Sequence, residues 1–269
     1  MLSRPWKINW LLFSRYSFFE MDASYESDVL LNQYLLFHYS RYSEYFPHNF
    51  DMQWAFDFPL RCVEEGPDYH LLSGNERVLD VGCSVGRSSF ELSRYFQSVV
   101  GIDYSHSFIK AAQVLKETGE HAVASYEEGS QIAEGKIALG LEVNRERVDF
   151  ECGDAQALRA DLGVFDLVIA CNLICRLPQP MQFLARLPEL VKPRGQLFIT
   201  TPFTWLEQYT PKANWLNSNA DNSFLGLSEA LNGHFKLLKQ WDMPFLIRDH
   251  RRKFQFSIAQ ASRWERLAP

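Results

Sequence analysis

VLDVGCSVGR, residues 78–87, sets a short apolar run and Asp80 ahead of two glycines four apart, and a helix-forming stretch follows. That order predicts a strand, a tight loop and a helix start. Gly82 and Gly86 let the backbone turn sharply and come close to a ligand, and the helix start offers free amide hydrogens. Strand–helix alternation continues outward. A strand at 78–81 is followed by a helix from about 84 to 96, and a strand at 98–102 ends on Asp103, with a helix from about 107. Strands follow at 148–152 and 165–171, the second nearly all apolar, as a strand buried on both faces should be. A helix over about 180–191 leads to the breaker-rich turn 192–195 and a strand at 196–201. A helix at 223–232 and strands at 235–241 and 254–259 close the series. Repeated units of this kind imply α/β architecture, with a doubly wound, mainly parallel sheet between helices.

Three further regions frame that domain. Residues 25–39 (YESDVLLNQYLLFHY) carry apolar and aromatic side chains at helical spacing, with Ser27 or Asp28 as cap, and 42–61 is rich in aromatics. Together, within 21–74, they read as a helical cap packed on the domain at 75–269. Residues 113–147 are polar, rich in Glu, Gly and Ala and weakly helical in period, and read as a surface insertion. Residues 1–20 are interrupted by Asn9 and Arg15. They read as a peripheral extension, neither a bilayer span nor a signal peptide, with Met21 an alternative start.

Composition limits the function. The 269 residues, 46% hydrophobic and 22% charged, suffice for a full core. A net charge of −6 with no basic run leaves no footprint for nucleic acid, so a small-molecule or peptide partner is expected, with no membrane association. Five scattered cysteines without CxxC, and seven histidines without HxxxH, indicate neither a disulfide framework nor a metal site. Reduced thiols fit a cytoplasmic protein.

In sheets of this kind ligands sit beyond the carboxyl ends of the strands, near the switch in strand order. The loop is GxxxG after an acidic residue, where a dinucleotide fingerprint is GxGxxG. A pyrophosphate gains nothing from Asp80, whereas a ligand carrying both ammonium and carboxylate does, as the methionine part of S-adenosylmethionine does. Asp103 stands where a carboxylate takes both ribose hydroxyls, and Gly153-Asp154-Ala155 within reach of the adenine amino group. The expected cofactor contacts are Asp80, Gly82, Cys83, Ser84, Gly86, Arg87, Asp103, Tyr104, Ser105, Gly153, Asp154, Ala155, Cys171 and Asn172. Cys83 reads as a space-filler, because nothing cationic nearby would activate it.

The series VLDVGCSVGRSS, VVGIDYS, ECGDAQ, FDLVIACNLICRL and LVKPRGQLFITTPF resembles the class I S-adenosylmethionine-dependent methyltransferases over 78–203. That resemblance implies a seven-stranded, Rossmann-like sheet with the last strand antiparallel. More narrowly, YESDVLLNQYLLFHY, FPLRC and TPFTWLEQYTPKANWL resemble the C-terminal methyltransferase module of ovothiol biosynthesis, over most of 25–269. The narrower resemblance implies N-methylation of an imidazole nitrogen of 5-thiohistidine (4-mercaptohistidine) to ovothiol A, with S-adenosyl-L-homocysteine as by-product. It also implies a functional link to an iron-dependent sulfoxide synthase, whose usual upstream domain this sequence lacks. Asn172, Tyr39 and His38 are the expected catalytic residues. Tyr25, Tyr34, Phe37, Arg61, Arg176, Phe203 and Trp205 are expected at the substrate. His38 reads more readily as a packed, hydrogen-bonded histidine than as a base, and Asn172 as readily as a strand-ending polar residue. A methyltransferase for another small imidazole, amine or carboxylate, and a non-catalytic cofactor-binding module, stay open.

Overall fold

The computed structural model describes residues 25–72, 76–216 and 222–268. The extension at 1–20, with Met21, lies outside them. Seven strands form one sheet: β1 (Arg77–Val81), β2 (Ser98–Asp103), β5 (Val148–Cys152), β6 (Phe165–Cys171), β7 (Val191–Thr201), β8 (Phe235–His250) and β9 (Lys253–Arg266), in the order β5-β2-β1-β6-β7-β9-β8. The β1 to β7 members pair in parallel, and β9 runs antiparallel between β7 and β8. Strand order reverses between β1 and β6, which opens a crevice at their carboxyl ends. The apolar alternation of β6 explains its central place, since its residues pack into cores on both faces of the sheet.

Local chemistry moves several boundaries from their expected places. The first domain helix, α4 (Arg87–Leu92), starts three residues later than the sequence predicts and ends earlier. Ser84 and Gly86 hold left-handed backbone, which a helix does not accept. The strand expected at 196–201 begins at Val191. The turn signal at 192–195 survives as a register shift opposite Phe165–Leu167 and a left-handed Arg194. β8 and β9 are also much longer than expected. Pro244 hides the continuity of β8, and it is tolerated there because β8 is an edge strand.

The 113–147 stretch carries more regular structure than its polar composition suggests. Helix α5 (His106–Thr118) continues into it and stops at left-handed Gly119. A two-stranded antiparallel hairpin then follows, β3 (Glu120–Tyr126) and β4 (Ile132–Ala138). Val123 and Ile137 are its buried strand residues, so its alternation is too polar to read as a sheet.

The cap consists of α1 (Asp28–Tyr39), α2 (Tyr42–Tyr45) and α3 (Phe58–Glu65). Ser27 caps α1 by accepting from Leu30 N. The Tyr45 hydroxyl donates to Leu246 O at 3.0 Å and accepts from Arg248 N at 2.7 Å, tying the cap to β8. Arg248, 5% exposed, pairs with Glu127 at 2.6 Å and so fastens the hairpin as well. α6 (Pro180–Leu190) and α7 (Ser223–Leu231) complete the described α-helices.

Replacing Tyr45 by Phe leaves a buried Leu246 carbonyl and Arg248 amide without that partner. Urea unfolding is expected to show a loss of about 1–2 kcal/mol with an unchanged m-value.

Candidate functional site

The loop after β1 is held from below and from both sides. Gly82 and Cys83 donate to Ile102 O at 2.7 and 3.1 Å, and Ser84 N donates to Asp103 Oδ2 at 2.8 Å. A Cβ on Gly82 would stand 3.0 Å from Leu173, and one on Gly86 only 2.6 Å from the Phe150 ring. Both glycines have positive φ, so the loop needs them for conformation and for space.

Asp80 stands inside the loop. It is 1% exposed and accepts from the Ser88 and Ser89 hydroxyls at 2.6 and 2.7 Å. Burial lifts its pKa to about 6 against the pull of those serine bonds. The expected contact with a cofactor ammonium is therefore not what its geometry shows, for it braces the start of α4. Cys83 and Gly86 are likewise loop interior. Arg87 Nε lies 3.0 Å from Glu91 Oε1, and its guanidinium sits over the Tyr39 ring. Tyr39 in turn donates to Val85 O at 2.8 Å. These two positions, expected at cofactor and reaction, support the loop from outside the cavity.

A cavity of about 390 Å³ opens beside the loop, at the carboxyl ends of β1, β2, β5 and β6. Gly82 and Ser84, Asp103, Tyr104 and Ser105, Gly153, Asp154 and Ala155, and Cys171 and Asn172 all line it. Ten of the expected cofactor positions thus meet at one wall. Asp103 accepts from Ser84 N and, at 2.9 Å, from Ser105 N; each carboxylate oxygen keeps capacity for a further donor such as a ribose hydroxyl. Burial raises its pKa, and the Ser105, Ser84 and Tyr104 amides oppose that rise. Asp154 receives Gln156 N at 2.8 Å, and Asn172, at φ 55°, is bonded to Thr200. The Ser84 hydroxyl is buried without a partner among the described residues. That orphaned oxygen, the cradle at Gly82 and the carboxylate at the β2 end fit a ligand carrying ribose hydroxyls and a polar amino-acid end.

The other end of the cavity is aromatic. Tyr25, Tyr34, Phe37 and His38 come from the cap, as the helical spacing of 34, 37 and 38 predicts. Burial holds the Tyr25 and Tyr34 phenols protonated, raising both pKa values. Arg176 lies over the Tyr209 ring at 4.9 Å and donates to Thr204 O at 2.9 Å. No carboxylate pairs with it among the described residues. Cys62 and Cys171 meet on the wall, where burial pushes the Cys62 thiol up.

Three expected substrate residues lie elsewhere. Arg61 is consumed by Glu65 at 2.9 Å and by Pro244 O at 2.8 Å. Phe203 and Trp205 pack on each other, and Trp205 Nε1 donates to Ser223 at 3.0 Å. Neighbouring Pro202 reaches the wall in their place. Sequence reasoning missed Phe58, Pro59, Cys62, Tyr209, Phe245 and Ile247. The first three stand in or beside FPLRC, and Phe245 and Ile247 alternate on β8, so period-two spacing was their available signal.

Residues 79–199 match the methyltransferase domain model. The chain is 28% identical over 126 residues to the ubiquinone biosynthesis O-methyltransferase of Coxiella burnetii, which covers 47% of this chain and 43% of that protein. It is 31% identical over 125 residues to the Parvibaculum lavamentivorans protein of the same name, covering 46% and 40%. The chain thus spans less than half the length of these relatives. Among solved structures, the [4+2]-cyclase SpnF superposes with a TM-score of 0.57 at 17% identity, over 93% of this chain and 96% of that one. An S-adenosylmethionine-dependent methyltransferase of Methanosarcina mazei gives 0.52 at 15% identity, over 75% and 97%. At such identities the superpositions show the fold alone. Residues 79–199 thus carry the match to a methyltransferase domain, on a fold shared with an S-adenosylmethionine-dependent methyltransferase of known structure.

Asp103→Ala is expected to weaken S-adenosylhomocysteine binding about 30-fold or more in calorimetry, through loss of charged hydrogen bonds. Asp80 has the opposite signature. Its folded pKa lies above that of an unfolded chain, so the folded state holds the extra proton between 3.8 and about 6. Its contribution to stability falls as pH rises through that window, and Asp80→Asn is expected to lose that slope in urea titrations.

Proposed function

We propose that this chain transfers the methyl group of S-adenosylmethionine to an imidazole nitrogen of 5-thiohistidine, giving the N-methyl product ovothiol A. The observation that carries this reading is Arg176, a cation without a carboxylate partner among the described residues, set in an aromatic cavity that the expected cofactor positions also line. An amino acid with a flat ring matches both features: its carboxylate suits Arg176 and its ring the aromatic faces. The resemblance of 25–39, FPLRC and the run beginning at Thr201 to the ovothiol module supports the same acceptor. The O-methyltransferase relatives match over less than half their length, so their acceptor transfers weakly.

Asp103, Ser84 and the backbone at Gly82 would hold the cofactor, with Asp154 toward its base. When bound, S-adenosylmethionine supplies a sulfonium-activated methyl: the ring nitrogen's lone pair forms the new bond while the carbon–sulfur pair leaves on sulfur. A neutral imidazole nitrogen already carries that pair, so positioning is the main demand on the protein. With the substrate sulfur as thiolate, the methylated ring is charge-balanced and its remaining N–H proton stays in place. Arg176 and the Tyr25 and Tyr34 hydroxyls orient the amino-acid end. Phe37, Phe58 and Phe245 exclude water and set the plane of the ring. The thiolate is the stronger nucleophile, so these walls must point it away from the methyl. We read the protein as a cytoplasmic enzyme that receives its acceptor from an iron-dependent sulfoxide synthase acting on histidine.

Incubation with methyl-labelled cofactor and 5-thiohistidine is expected to give the N-methyl product by NMR, with histidine untouched; S-methylation or no turnover would refute the reading. Arg176→Ala is expected to raise KM for 5-thiohistidine about 10–100-fold, with cofactor affinity unchanged.

A further inference from the structure

His38 is the group in the cavity whose state the reaction outlined above leaves unexplained. It is 7% exposed, lines the cavity from α1, and its Nδ1 has no hydrogen-bond partner among the described residues. Buried polar atoms without partners are uncommon and point to a ligand or to an unfilled role. The ring is fixed by packing, 5.4 Å from Phe37, 6.0 Å from Tyr34 and 6.2 Å from Tyr39 between centroids. Holding an imidazole this firmly keeps a direction for whatever it bonds.

A neutral imidazole has one N–H nitrogen and one lone-pair nitrogen, and the partner of the first decides which nitrogen carries the pair. An acceptor ring entering beside His38 therefore meets a group able to select its tautomer. We propose that His38 is a positioning residue that accepts a hydrogen bond from the N–H of the acceptor's imidazole, so that the lone pair sits on the nitrogen to be methylated. The inference rests on the thiohistidine reading and deepens it by assigning the choice between the two ring nitrogens, and against sulfur, to one side chain. His38 suits this task better than that of a base. Burial and the Arg87 charge hold its pKa at about 3, so it stays uncharged and accepts a hydrogen bond without removing the proton. Asp103 and Asp154, the carboxylates that line the cavity, stand at its other end, after β2 and β5.

The test compares wild type with His38→Phe and His38→Asn. Asn restores an acceptor close to the Nδ1 position, and Phe keeps ring volume without one. Four readouts are taken: calorimetric affinity for S-adenosylhomocysteine, binding of 5-thiohistidine to the loaded protein, kcat, and the methylation site by NMR. His38→Phe is expected to lose at least 30-fold in kcat for the N-methyl product and to give S-methyl or other-nitrogen product in measurable share. Cofactor affinity should stay within twofold, and His38→Asn should recover at least a tenth of wild-type kcat with wild-type regiochemistry. A His38→Phe protein that binds 5-thiohistidine and makes the same N-methyl product within threefold of wild type overturns the role of His38 and leaves the substrate reading standing. A wild type that neither binds nor methylates 5-thiohistidine overturns the substrate reading and this inference with it.

Discussion

The carboxylate of Asp103 is the hinge on which both ends of the site depend. One oxygen receives Ser84 N from the loop after β1, and the other receives Ser105 N from the loop after β2. Adjacent strands are thereby locked to each other beyond their last ladder bonds, where the crevice opens. Ser105 then carries the constraint into the cap, since its hydroxyl donates to Tyr25 O at 3.1 Å. Glu26 adds to it by accepting His106 N and Ser107 N at 2.9 and 3.0 Å, the free amides at the start of α5. A single carboxylate thus sets the wall where the expected cofactor positions meet and, through two short links, the placement of the Tyr25 ring beside Arg176.

The same arrangement explains why the aromatic cap does more than cover the sheet. Tyr39 holds the loop carbonyl of Val85, Tyr45 holds β8, and Gln33 reaches Arg248 O and Asp249. Polar atoms on one side of these helices are spent on fastening, which leaves Tyr34, Phe37 and His38 to face the cavity. An aromatic enclosure strengthens the few charged contacts inside it, because little water remains to compete. Arg176 benefits most, with backbone carbonyls as its hydrogen-bond acceptors and Tyr209 beneath it.

Much of this was legible in the sequence, for reasons that differ by element. β2 and β6 follow from apolar runs ending in Asp103 and Cys171, β5 from the alternation VDFEC, and the loop after β1 from glycine spacing. The 120–138 hairpin was not legible, because Ala, Gly and Glu on exposed strands blur a period of two into an apparent weak helix. Asp80 misled for a related reason. A strand-ending acid reads as a ligand contact, but Asp80 does not line the cavity, and two serines eight and nine residues on bond its Oδ2 once α4 turns back. Arg61 and Trp205 failed as substrate contacts because partners distant in sequence, Pro244 and Ser223, occupy them. Arg176 does line the cavity, and no acidic side chain among the described residues pairs with it.

A crystal structure of the ternary complex with S-adenosylhomocysteine and 5-thiohistidine tests the central claim most directly. The account predicts ribose hydroxyls on Asp103, the acceptor carboxylate on Arg176, and the ring nitrogen to be methylated nearer the cofactor sulfur than the thiolate is. A cofactor bound away from Asp103, or an acceptor whose carboxylate points away from Arg176 with its sulfur toward the cofactor, would contradict it.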